Sequence, residues 1–153
     1  MSSAATPDLG ALRARALRLL ARREHSREEL RRKLSAGDAD AQWVELMLDE
    51  LQETGWLSER RLAEQMVAAA RDRYGSKRVL QRLRQKGVSE DALERAATSL
   101  KAQELESARA LWRKRFGRAP SSLQDKAKQA RFLAGRGFAS DVIGQLLGHL
   151  DDA

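Results

Sequence analysis

The chain has 153 residues, 42% of them hydrophobic and 33% charged, with no cysteine and a formal net charge of +7. Without cysteine there is neither a disulfide framework nor thiolate chemistry. No apolar run approaches the roughly 18 residues that span a bilayer, and the start MSSAATPDLG lacks the basic-then-apolar build of a signal peptide, so the expected setting is the cytoplasm.

Every element reads as helix. Alternating β-branched runs are missing, whereas Ala, Leu, Arg, Glu and Gln recur at helical spacing. Residues 1–7 are expected to be disordered, and Thr6-Pro7-Asp8 starts a first helix carrying Leu9, Leu12, Ala16, Leu19 and Leu20. Ser26-Arg27-Glu28-Glu29 fits the S-x-x-E capping box and opens a second, with Leu30 and Leu34. Asp38 or Asp40 caps a third, which carries Val44, Met47, Leu48 and Leu51 and ends at Gly55. Ser58 opens a fourth, striped by Leu62, Met66, Ala70 and Tyr74. Gly75 is expected in the left-handed conformation that closes this helix, with Ser76 as N-cap of a fifth. The fifth buries Val79, Leu80 and Leu83 and ends at Gly87. Ser89 caps a sixth with Leu93, Ala96, Ala97 and Leu100. A seventh carries Leu105, Ala108, Leu111, Trp112 and Phe116, and Gly117 stops it. Pro120 is placed in the first turn of an eighth, with Leu123, Ala127, Ala130 and Leu133 inward. Ala139 or Ser140 starts a ninth, bearing Val142, Ile143, Leu146, Leu147 and Leu150.

Nine short helices divide by three. Gly37, Gly87 and Gly137 are evenly spaced, and each follows a basic helix and precedes an apolar one. Leu30, Leu80 and Ala130 stand at the same distance before them, and Trp43, Leu93 and Ile143 at the same distance after. Lys33 stands where the other copies have leucine, so the first copy must use Leu34. Helices shorter than about 12–15 residues are marginal alone, so each depends on its neighbours. The expected fold is all-α: an elongated array of three tandem three-helix repeats, 8–57, 58–101 and 102–153.

Charge runs in blocks. Residues 13–33 carry nine cations against three acids, residues 38–64 eight acids against two arginines, and residues 109–118 five cations and no acid. From Arg71 to Gly87 seven cations face one acid, Asp72. A high pI with clustered cations is a footprint of polyanion binding. The candidate contact residues are therefore Arg71, Arg73, Tyr74, Lys77, Arg78, Arg82, Arg84 and Lys86 in the middle of the chain. Arg113, Lys114 and Arg115 join them, with Lys128, Arg131 and Arg136 further on. Tyr74 closes a helix beside the cluster, so its ring is expected to be buried with its hydroxyl free to reach a phosphate. The remaining aromatics read mainly as core. Enzymatic chemistry is hard to assemble: two histidines far apart, no metal-ligand spacing, no phosphate-cradling loop and no nucleophile elbow. No catalytic residue, metal or cofactor is assigned.

The order ALRLLARREHSREELRRKL (16–34), GWLSERRLAEQMV (55–67), RYGSKRVLQRLRQKGV (73–88) and RFLAGRGF (131–138) resembles the RecX family of bacterial recombinase regulators over nearly the whole chain. The resemblance implies three tandem three-helix repeats and a non-enzymatic protein. Such a protein would bind the RecA–DNA filament and restrain its ATP hydrolysis, strand exchange and coprotease action, regulating recombinational DNA repair and the SOS response. The family carries no agreed catalytic residues, so the site rests on charge. Ser35-Ala36-Gly37-Asp38 departs from the family's usual basic residue before the glycine. Weak, non-specific binding to single- or double-stranded DNA is expected beside the filament, with no membrane or small-molecule partner. The alternative is a helix-turn-helix-like transcriptional regulator, with Arg78, Arg82, Gln81 and Gln85 reading bases from the fifth helix.

Overall fold

The computed structural model describes residues 8–37 and 39–151, so Asp38 as a cap, residues 1–7 and the Leu150 side chain lie outside the described residues. Among the described residues there are eight helices and no strand: α1 (Leu9–Arg22), α2 (Arg27–Leu34), α3 (Ala41–Glu53), α4 (Glu59–Ala70), α5 (Ser76–Gln85), α6 (Glu90–Arg115), α7 (Leu123–Gly135) and α8 (Ser140–Asp151). The sixth and seventh expected helices are one. Lys101-Ala102-Gln103-Glu104 contains neither glycine nor proline, and its strong helix formers carry α6 through without a break.

Contacts divide the chain into two compact units, one of residues up to Leu62 with Lys86–Ser89, the other of Ala63–Gln85 with Glu90 onward. The first is built on α1, α2 and α3. Ala16, Leu30, Leu34, Val44, Met47, Leu48, Leu51 and Leu57 form its core. Its helix starts are those read from local sequence. The Asp8 side chain accepts from the Ala11 N–H at 2.9 Å, Ser26 and Glu29 close the full capping box, and Asp40 accepts from the Gln42 N–H at 2.8 Å. Gly87 adopts φ +75°, as a C-cap requires, and a Cβ there would meet Glu28 Cβ at 2.9 Å. Lys33 turns to His25, donating to Nε2 at 2.9 Å, while Leu34 takes the fully buried place.

The second unit packs α5, α6, α7 and α8. Ala108, Leu111, Trp112, Leu133, Phe138, Ile143, Leu146 and Leu147 form one cluster, and Val79, Leu83, Leu93, Ala96 and Leu100 are also buried. Pro120 lies ahead of α7 rather than in it. Ser122 caps the helix by accepting from the Asp125 N–H at 3.0 Å, and Asp125 accepts from the Ser121 N–H at 3.0 Å. This start sets a different register from the expected one. Leu123 is 85% exposed and Ala127 is exposed, while Gln129 points inward, accepting from Trp112 Nε1 at 2.8 Å. Trp56, expected beside its glycine as core, is 49% exposed.

Gly75 is not a left-handed cap. The positive φ at the end of the fourth helix belongs to Asp72, at 65°. Gly75 is needed for closeness: its N–H donates to the Arg136 carbonyl at 2.8 Å, the Lys77 N–H donates to the Gly137 carbonyl at 3.0 Å, and a Cβ on Gly75 would lie 2.4 Å from Phe138 N and Cα. Ser76 is the first residue of α5, and its hydroxyl donates to the buried Glu104 carboxylate at 3.0 Å instead of capping. The same carboxylate accepts from the Ala139 N–H at 2.9 Å, which ties the starts of α5 and α8 to α6.

Candidate functional site

The backbone crossing of 75–77 with 136–138 decides which of the basic residues meet. It places Tyr74 and Arg78, one helical turn apart across the start of α5, beside Arg136 at the end of α7. The Arg78 guanidinium sits 4.1 Å from the centre of the Tyr74 ring, and that of Arg136 at 5.5 Å. Arg136 also lies 5.1 Å from the Phe132 ring. Arg115, at the end of α6, lies 5.3 Å from Phe132 and 6.0 Å from Phe116. Phe116 and Phe132 meet edge to face with centroids 5.4 Å apart. The result is an alternating stack, Arg78–Tyr74–Arg136–Phe132–Arg115–Phe116, in which every guanidinium rests on a ring.

The chemistry of the stack follows from its parts. A guanidinium held against a ring gains about 0.5–2 kcal/mol and keeps its in-plane N–H groups for an anion, whose phosphate or carboxylate oxygens it can meet two at a time. Among the described residues no carboxylate pairs with Arg78, Arg115 or Arg136. Arg73 and Arg82 continue the positive surface around a cleft of about 200 Å³ beside Tyr74 and Arg78.

The other candidates fall into separate places. Lys77, Arg84, Arg113, Lys114 and Lys128 are exposed. Arg71 donates to Gln103 Oε1 at 3.4 Å, and Arg131 borders a groove between α7 and α8. Lys86 does not belong to the bare surface, because it pairs with Glu29 at 3.3 Å. The basic block 13–33 is likewise partly neutralised within the first unit, while Arg15, Arg18 and Arg22 stay exposed. Arg27 pairs with Glu45 at 3.2 Å and Asp49 at 2.7 Å, Arg31 with Glu45 at 2.6 Å and with Glu28, Arg23 with Glu29 at 3.0 Å, and Arg13 with Glu50. Arg31, partly offset by the carboxyl's desolvation, brings Glu45 down to about 2. Burial pushes the Glu29 carboxyl up, but the Ser26 N–H, Arg23 and Lys86 outweigh it and hold it at about 2.

Sequence reasoning assigned Phe116 and Phe132 to the core and missed them here. The available signal was the aromatic–arginine pair at i, i+4, present three times as Trp56/Arg60, Tyr74/Arg78 and Phe132/Arg136, of which the last two enter the stack.

Two family models match this sequence: the first three-helix domain of RecX over residues 13–51 and the third over residues 102–147. A regulatory protein RecX from Leptothrix cholodnii is 46% identical over 136 residues, 89% of this chain and 87% of the relative. Another from Ralstonia nicotianae is 43% identical over 140 residues, 92% of this chain and 88% of that protein. The chain belongs to the RecX family. The fold agrees: the crystal structure of RecX from Lactobacillus salivarius superposes with a TM-score of 0.76 at 21% identity, covering 95% of this chain and 98% of that one. Three-helix domains are thus the family's unit. No helix among the described residues is long and apolar enough to cross a membrane.

Proposed function

We propose that this RecX-family chain binds the RecA–DNA filament in the cytoplasm and restrains its ATP hydrolysis, strand exchange and coprotease activity, acting by occupancy and without catalysis. In this reading it tempers recombinational repair and the SOS response. Three three-helix repeats, 8–57, 58–101 and 102–153, form the scaffold. The observation that carries the reading is the stack of three ring-held guanidiniums in the second unit, with which no acid among the described residues pairs. Charge placed this way is wasted in solution and useful against a polyanion. The contacts would be made to exposed DNA phosphates or to acidic filament surface, with Arg73, Arg82 and the exposed cations of α5 and α6 in support.

Phosphate contact carries no sequence information, so binding to DNA alone should be weak and non-specific. If four to six cations touch phosphates, the log–log salt slope for duplex is about −4 to −5. Arg78→Glu combined with Arg82→Glu should abolish inhibition of the filament's DNA-dependent ATPase and leave the helical circular dichroism intact. Normal inhibition by that double variant would move the contact surface elsewhere. A helix-turn-helix reader would instead discriminate bases by about 1–3 kcal/mol each, and such a preference on duplex DNA would replace the filament reading.

A further inference from the structure

The cleft beside the stack has a floor and a rim of opposite character. Met66 and Ala70 of α4 and Val79 of α5 form its apolar floor, Ala69 stands exposed at its edge, and Arg73, Arg78 and Arg82 line it together with Tyr74. Its volume is about 200 Å³. A phosphate alone would satisfy the rim and leave the aliphatic floor against water. An acidic side chain would bring charge but too little flat apolar body. A nucleotide supplies both: a planar base for the floor and the Tyr74–Arg78 edge, and phosphates on either side for permanently charged guanidiniums.

We propose that this cleft takes a single unstacked nucleotide, with its base over Met66, Ala70 and Val79 and its flanking phosphates at Arg73 and Arg82. The proposal rests on the nucleic-acid contact described above and makes it selective for single strands. A duplex offers its bases only after a pair is broken and a base leaves the stack, whereas a single strand offers them freely. Recognition is through the face of the base, so it tolerates any sequence.

The test uses the full chain and three fluorescent probes at one salt concentration: a thymidine oligomer, an abasic oligomer of the same length, and a duplex. Wild type should bind the thymidine oligomer about tenfold more tightly than the abasic one, the ordinary scale for one base contact. Ala69→Leu extends an apolar side chain over the cleft from an exposed helical position at its edge without altering charge. It should bring that ratio to about one while abasic and duplex affinities and their salt dependence stay as in wild type. Equal affinity of wild type for thymidine and abasic strands would overturn the proposal without any variant. So would an undiminished ratio in Ala69→Leu. Failure to bind all three probes would sink the phosphate-contact reading itself, and the cleft assignment with it.

Discussion

Single residues set much of the stability of this protein. Gly137 has φ +91°, and a Cβ there would lie 2.6 Å from Arg78 Cβ. Gly137→Ala should therefore destabilise by roughly 1 kcal/mol or more from the backbone alone. It should also displace Arg78, so thermal melting and ATPase inhibition should fall together; an unchanged melting temperature would remove the crossing as a constraint. Gly87→Val, at φ +75°, should lower the melting temperature in the same way. His25 is fully enclosed, with Nδ1 donating to the Arg23 carbonyl at 3.0 Å. Desolvation lowers its pKa below 6.5, against the opposing pull of that carbonyl bond. The folded state therefore refuses a proton that the unfolded chain accepts, and stability falls as pH drops through 6.5 towards the lower folded value. Glu29 and Glu45, held at about 2 against an ordinary 4.5, act later: their contribution is full above pH 4.5 and lost as pH falls towards 2. Melting temperature measured against pH should show the His25 step first, and His25→Gln should flatten it.

At the scale of elements, legibility depended on how far the deciding partner stood along the chain. Caps whose donor and acceptor lie within a few residues, such as Asp8, the Ser26–Glu29 box and Asp40, were readable because the chemistry is local. Gly75 was not, because its reason is Phe138, far away in sequence. Ser76 looked like a cap for the same cause; its partner Glu104 sits on another helix. The α7 register was missed because Pro120 seemed the natural start, whereas Ser122 and Asp125 form the working cap. The continuity of α6 could have been read from the missing breaker. Ala102→Pro should cost about 3 kcal/mol or more and lower both helicity and melting temperature. Two ordinary helices meeting at that point would tolerate it. Trp112→Phe should cost about 1–3 kcal/mol, because it leaves the buried Gln129 carbonyl without its donor; the denaturant midpoint reports this directly.

For the whole molecule, composition alone gave a basic chain and clustered charge but not which clusters stay bare. The acids of α3 and the arginines of α2 look like separate blocks in sequence, yet they pair within the first unit. The second unit places Arg78, Arg115 and Arg136 on rings, and the stack needed three helix ends brought together before it existed. That contrast is the basis for proposing Tyr74, Arg78, Arg115 and Arg136 as the filament contact rather than the more arginine-rich start of the chain. The most direct test titrates the protein against the DNA-dependent ATPase of a RecA filament. Hydrolysis should fall with added wild-type protein and stay level with the Arg78→Glu, Arg82→Glu double variant. Hydrolysis unchanged by micromolar wild-type protein would contradict the account.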